Sequence, residues 1–256
     1  MGGNWKMNAD LAAGVELAED VLAGLVAGGV EQHVDVALFP PFPYLQAVGR
    51  ALGHSNVLLG GQDCSSEAAG AFTGQVSVGM LADLGARSVI IGHSERRHGL
   101  GEDDDLLREK LAIALESGLV AVLCVGETLS QRDEGRAEAE VAAQVRGCFG
   151  TLAADAATRV VVAYEPVWAI GTGEVATPAD AQEVCGAIRG LLRERFGGVA
   201  DDVRILYGGS VKVSNVAAIM AEPDVDGCLV GGASLDPDEF VGIVRYRLLS
   251  PAEEGA

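Results

Sequence analysis

Residues 159–173 read Arg-Val-Val-Val-Ala-Tyr-Glu-Pro-Val-Trp-Ala-Ile-Gly-Thr-Gly. The run Arg159–Tyr164 is apolar almost throughout and does not alternate, as a strand covered on both faces requires. A carboxylate, Glu165, follows it directly. Pro166–Gly173 comes next, apolar at its centre and bounded by proline and glycines. Thr177-Pro178-Ala179-Asp180 then opens a helical run to Phe196. It supplies a capping hydroxyl, proline at the first helical position and an acid in the first turn. Strand, polar strand end, loop and helix in that order make one unit of a parallel sheet with right-handed crossovers.

The unit recurs in both directions. Strand-like runs cover Val34–Phe39, Val57–Gly61, Ser88–Gly92, Val120–Val125, Val203–Leu206 and Gly227–Val230. Helical stretches cover Asp10–Gly28, Asp104–Ser117, Glu134–Phe149, Pro178–Phe196 and Pro237–Leu248, the last opened by Asp236-Pro237-Asp238-Glu239. Seven strands are plain, and an eighth must come from Gly2–Lys6. No linker or low-complexity segment divides the chain, and 250–256 reads as a frayed tail. Its 256 residues fit one (β/α)8 barrel. A doubly wound open sheet is the alternative on this pattern.

Composition narrows the function. Aromatic residues make up 5% of a chain that is 49% hydrophobic, so branched aliphatics must fill the core. The formal net charge of −19 argues against nucleic acid, whose binders present basic stripes. Any anionic substrate must be held by local amides and a few lysines against that field. The five cysteines form no CxxC pair and read as buried free thiols of a cytoplasmic protein. No apolar run is long enough for a membrane span, and neither a metal nor a cofactor is expected.

In a barrel, chemistry belongs at the carboxyl ends of the strands. There stand Asn4 and Lys6, Gln62 and Asp63, His93, Ser94 and Glu95, Glu127, Glu165, Ser210 after Gly208-Gly209, and Gly231-Gly232. Each alone could be a structural hydrogen-bond partner; together, in a barrel, they face one mouth. Glu165, shielded behind a buried run, suits a base, or else a structural ion pair with an arginine. His93 follows Val89–Gly92 directly and, read alone, also fits a satisfied core histidine. The two glycine-rich turns offer amides to a phosphate. Pro166–Gly173 suits a lid that excludes water. Gly171–Ala176 mimics a dinucleotide fingerprint, but it does not open a helix directly, and no acid ends a strand some twenty residues on.

Taken together, Asn4–Asn8 (NWKMN), Gly92–Arg97 (GHSERR), Cys124–Glu127, Tyr164–Gly173 (YEPVWAIGTG), Tyr207–Val211 and Leu229–Leu235 closely resemble the triose-phosphate isomerase family over essentially the whole chain. The resemblance implies a single-domain (β/α)8 TIM barrel, here with a shortened first strand. It implies cofactor-independent interconversion of dihydroxyacetone phosphate and D-glyceraldehyde 3-phosphate, in glycolysis and gluconeogenesis. It further implies Glu165 as the base and His93 as the electrophile. Lys6 and Asn4 would serve the phosphate and the oxyanion, and Glu95 would orient Lys6. Gly171, Ser210, Gly231 and Gly232 would line the phosphate site. A homodimer is implied through the loop Ala71-Phe72-Thr73-Gly74-Gln75, with Thr73 reaching the partner's mouth.

Two departures from the family pattern qualify this. Gln75 stands where the family has a glutamate that pairs with an arginine like Arg96 across the interface. Met1 lies one glycine before Gly3-Asn4, where the family carries several further residues of the first strand. We therefore expect a start codon assigned too far downstream. With the recorded start, the seam between first and eighth strands should lack part of its ladder. Two other functions are weighed: an impaired paralogue that only binds sugar phosphate or a partner, and a different phosphate-binding barrel enzyme. The second should show an extra strand-end lysine or carboxylate pair, and the strand ends offer neither.

Overall fold

The computed structural model describes residues 1–29, 33–171, 174 and 176–248. Thr172 and Gly173 of the expected lid, Val175 of the fingerprint-like stretch and the tail 250–256 lie outside the described residues.

Eight parallel strands close into a barrel in sequence order: β1 (Gly2–Asn4), β2 (Ala37–Phe39), β3 (Leu58–Gly61), β4 (Ser88–Ile91), β5 (Val120–Val125), β6 (Val160–Tyr164), β7 (Ile205–Tyr207) and β8 (Gly227–Val230). Around them lie α1 (Leu11–Gly28), α2 (Leu45–Leu52), α3 (Val78–Asp83), α4 (Ser94–Leu100), α5 (Asp104–Glu116), α6 (Leu129–Asp133), α7 (Ala137–Phe149), α8 (Ala154–Ala157), α9 (Pro178–Phe196), α10 (Val213–Ile219) and α11 (Pro237–Val244). The closed ring excludes the open-sheet alternative.

The strands read as unbroken apolar runs because both of their faces are covered. Phe39, Ile90, Val122, Cys124, Ala163, Leu206 and Leu229 point inward and fill the barrel. Their neighbours, such as Ile91, Leu123 and Val162, pack outward among the helices. The two helix starts read from sequence form as side-chain caps: Asp236 caps α11, and Thr177 with Asp180 makes a reciprocal capping box on α9. Asp10 likewise caps α1.

The expected defect at the seam is not found. β1 is three residues long, yet it pairs with both neighbours: Gly2 and Gly3 with Leu229 and Val230 of β8, and Gly2–Asn4 with Ala37–Phe39 of β2. Met1 extends the contact, its carbonyl accepting from the Ala37 amide at 2.9 Å and its sulfur from the Cys228 amide at 3.3 Å. Two helices are shorter than their patterns. α7 starts at Ala137 because Gly135 turns left-handed (φ 69°). The last helix stops at Val244, and Tyr246–Leu248 forms a separate 3-10 turn.

Candidate active site

The chain leaves β1 through Lys6, a non-glycine residue in the left-handed region (φ 52°). That conformation costs about 1–2 kcal/mol and needs local support. Asn4 Oδ1 accepts the Lys6 amide at 3.0 Å, and Gln62 Nε2 donates to the Lys6 carbonyl at 2.8 Å. Asn4 and Gln62 thus set the direction of the lysine. Its ammonium pairs with Glu95 Oε1 at 2.6 Å, and its stem passes over Gly231, where an added Cβ would lie 3.4 Å from Cε.

His93 sits at the turn from β4 into α4. The Glu95 amide donates to its Nδ1 at 3.2 Å, so Nδ1 carries a lone pair and the ring hydrogen belongs on Nε2. Nε2 lies 3.0 Å from Glu165 Oε1, and the Ser94 amide donates to Glu165 Oε2 at 2.8 Å. Glu165 is 2% exposed, and its neighbours here are an imidazole and an amide, not an arginine. Two glycines make room for it. A Cβ at Gly126 would fall 1.7 Å from the Glu165 carbonyl oxygen, and one at Gly208 would fall 2.9 Å from its Cγ. Only glycine fits so close an approach.

These groups line one cavity of about 410 Å³ at the carboxyl ends of the strands. Its wall includes Asn4, Lys6, His93 and Glu165, together with Ile170, Gly171, Gly208–Lys212 and Gly231–Ala233. The two glycine-rich turns line the same cavity as the acid–base pair. Of the residues expected here, Glu95 touches the site through Lys6 and His93. A second cavity of about 400 Å³ opens at the opposite pole, walled by Val120, Val122, Val161 and Leu229 and rimmed by Arg204 and Asp226. It lacks the carboxylate–imidazole pair, so the chemistry belongs to the first.

Two strand-end residues do not join the mouth, correcting the expectation of a single convergent set. Asp63 turns outward into a buried ion network with Lys110 (2.7 Å) and Arg96 (2.7 Å), which Glu102 shares. Burial pushes the Asp63 carboxyl above its usual value despite these cations. Arg96 is therefore paired within the chain, and Gln75 bonds to Ser65 instead. Glu127, fully buried, accepts from Tyr164 Oη at 3.1 Å and Trp168 Nε1 at 2.8 Å. Burial, with Glu127 alongside, raises the Tyr164 phenol far above its ordinary value and keeps it a hydrogen donor. This cluster, like Asn8 in the cavity wall, escaped sequence reading. The one available signal was an acid two residues beyond a strand end, facing an indole in the next unit.

Among the described residues no helix is long and apolar enough to cross a membrane. All five cysteines are free and buried.

Comparison with known proteins is consistent along the chain. The family model described as Triosephosphate isomerase matches residues 1–247. A protein of Chloroflexus aurantiacus named triosephosphate isomerase is 49% identical, over 96% of this chain and 98% of its own length. Proteins of the same name from Roseiflexus sp. and Rubrobacter xylanophilus are 50% and 49% identical, each over 96% of this chain and over 96% and 95% of their own lengths.

Proposed function

The chain belongs to the triosephosphate isomerase family, and we propose that it interconverts dihydroxyacetone phosphate and D-glyceraldehyde 3-phosphate through an enediolate. The observation that carries this reading is the 3.0 Å approach of Glu165 Oε1 to His93 Nε2 in a cavity walled by Lys6 and two glycine-rich turns. Enolising a carbonyl compound needs a base above the carbon and donors at the oxygen.

Glu165 takes a proton from the carbon beside the carbonyl and returns it to the neighbouring carbon. His93 donates from Nε2 to the carbonyl oxygen and passes protons between the two oxygens. Its Nδ1 is occupied by the Glu95 amide, which supports a neutral imidazole as the donor. Lys6 faces the developing oxyanion and the phosphate, aimed by Glu95. With Oδ1 committed to the Lys6 amide, Asn4 keeps its Nδ2 for the substrate. Amides of Gly171, Ser210, Gly231 and Gly232 receive the phosphate. Only protons move, so the reaction calls for no redox cofactor. The full complement of these residue types gives the binding-only reading no support.

The active form is a homodimer joined through the loop around Thr73. Phe72 at its tip is 42% exposed, and Met7, Met80 and Leu100 are also exposed apolar side chains. Arg96 is engaged with Asp63 and Glu102, so Gln75 in place of glutamate costs the interface one charged contact at most. Sedimentation across a concentration series tests this, and a monomer at micromolar concentration would refute it. The cytoplasm, within glycolysis and gluconeogenesis, suits five unpaired thiols.

A coupled assay of the purified protein with glyceraldehyde 3-phosphate tests the activity. Absence of turnover in folded dimer would remove the proposal.

A further inference from the structure

Strand β5 outruns its neighbour on one side. β4 pairs with it from Ser88 to Ile91, opposite Val120 to Leu123, and then turns off into α4. On the other side the ladder continues. The Glu165 amide donates to the Val125 carbonyl at 2.8 Å, and the Val167 amide to the Glu127 carbonyl at 3.1 Å. Alternate residues of a strand turn their peptide groups to opposite neighbours, so Cys124 and Gly126 face the side that β4 has left. Buried amides and carbonyls there need other partners. Arg97 donates twice to the Cys124 carbonyl. Gln144, on α7 and 6% exposed, makes both bonds for Gly126. Its Oε1 accepts the Gly126 amide at 2.8 Å, and its Nε2 donates to the Gly126 carbonyl at 2.9 Å. Nε2 also donates to Glu140 Oε1 at 3.2 Å.

A side-chain amide that accepts and donates at once reproduces what a neighbouring strand would offer. Gly126, held in this way, lies against the base. The backbone there comes so near that an added Cβ would stand 1.7 Å from the Glu165 carbonyl oxygen. No side chain cushions the two peptides, so a shift of Gly126 is passed to Glu165. We propose that Gln144 is a positioning residue for Glu165. It fixes the Gly126 peptide from behind, and that peptide fixes the backbone from which the base reaches the substrate. Gln144 stands outside the cavity wall and acts on the reaction through these two stretches of backbone. The inference deepens the isomerase reading and rests on it.

Two substitutions in the full-length enzyme test it. Gln144→Met keeps the length and rough shape of the side chain and removes both bonds. We expect kcat to fall about tenfold, short of the penalty for moving the base by a full ångström. KM should stay within about twofold, because the lysine and the glycine-rich turns are untouched. Gln144→Glu gives a response that a merely structural role would not. Its carboxyl is buried beside Glu140, so its pKa is raised. As the neutral acid it donates its hydroxyl hydrogen to the Gly126 carbonyl and accepts the amide, as the glutamine does. Once ionised it can only accept, and it repels that carbonyl. The kcat of Gln144→Glu relative to wild type should therefore stand near unity at about pH 5.5 and fall several-fold by about pH 9. The same ratio for Gln144→Met should stay level. Circular dichroism and a denaturant midpoint establish that each variant is folded. If Gln144→Met does not fold, the pH profile of Gln144→Glu carries the test. A folded Gln144→Met with wild-type kcat, or a Gln144→Glu ratio that does not change with pH, would overturn the assignment. Absence of turnover in the wild type would instead remove the isomerase reading itself.

Discussion

The backbone amide of Ser94 holds Glu165 by its Oε2 at 2.8 Å, while the other oxygen faces His93. The carboxylate is thus docked on the end of β4, and both its oxygens are engaged. To take a proton from carbon it must release at least one of these partners and turn over the cavity. Gly208 leaves its stem uncrowded, since a Cβ there would stand 2.9 Å from Glu165 Cγ.

Shortening that side chain should separate binding from turnover. Glu165→Asp withdraws the base by one methylene while leaving the lysine and the phosphate-facing turns intact. We expect kcat to fall about 100-fold or more, with KM changed only slightly, since an ångström of misplacement carries that scale of penalty. Steady-state kinetics in both directions reads it. A near-normal kcat would take Glu165 out of the reaction.

Gly208→Ala reaches the same carboxylate from behind. The new methyl would stand 2.9 Å from Glu165 Cγ and 3.1 Å from the Tyr164 carbonyl. Crowding of this kind costs about 1–3 kcal/mol, and part of it should appear as a loss of kcat with the fold intact. The check is kcat beside a denaturant midpoint. Unaltered kcat and stability together would mean that the contact is slack.

Breaking the buried ion network should destabilise without touching the reaction directly. Burial works to raise the Glu102 carboxyl, but hydrogen bonds from Arg96 and Lys110 prevail and hold it below its usual value. A depressed carboxyl adds stability at pH above its unfolded value, and that stability is lost as pH falls through the folded one. Glu102→Gln leaves Lys110, 5% exposed, with Asp63 as its remaining carboxylate. We expect a loss of about 3 kcal/mol at pH 7 and a flatter stability profile below pH 5. Urea unfolding of both proteins from pH 3.5 to 7 provides the measurement, and identical profiles would contradict it.

The thiols should set the alkaline limit. Burial pushes Cys64, Cys148 and Cys228 up from an ordinary value near 9 to about 12. A raised acid favours the fold fully below the unfolded value, and this contribution drains away as pH rises from about 9 toward 12. The urea midpoint should therefore drop between pH 8 and pH 10.5. A thiol reagent should modify the cysteines only as the chain unfolds. Rapid labelling of the native protein at pH 8 would show the burial to be incomplete.

Much of this was legible in sequence because it is local. Val160–Tyr164 is continuous in apolar residues since β6 is covered on both sides, and Thr177 with Asp180 caps α9 from three residues away. Repetition of such units implied the barrel, and the barrel implied that strand ends share a pole. Strand ends alone did not say which way each side chain turns. Gln62 leans in to hold Lys6, whereas its neighbour Asp63 turns out to Lys110, because adjacent residues at the end of a strand face opposite sides.

The sequence by itself determined the order of elements, their caps and the residue types at the mouth, since each depends on neighbours within a turn or a strand. Only the tertiary structure decided which of those residues meet. Ser94 and Glu165 are 71 positions apart and Lys6 and Glu95 are 89 apart. So too with Arg132, whose partners Trp168 and Asp180 come from the next unit of the ring. Closure of eight strands fixes such distances through packing and shared backbone hydrogen bonds, and no local pattern encodes them.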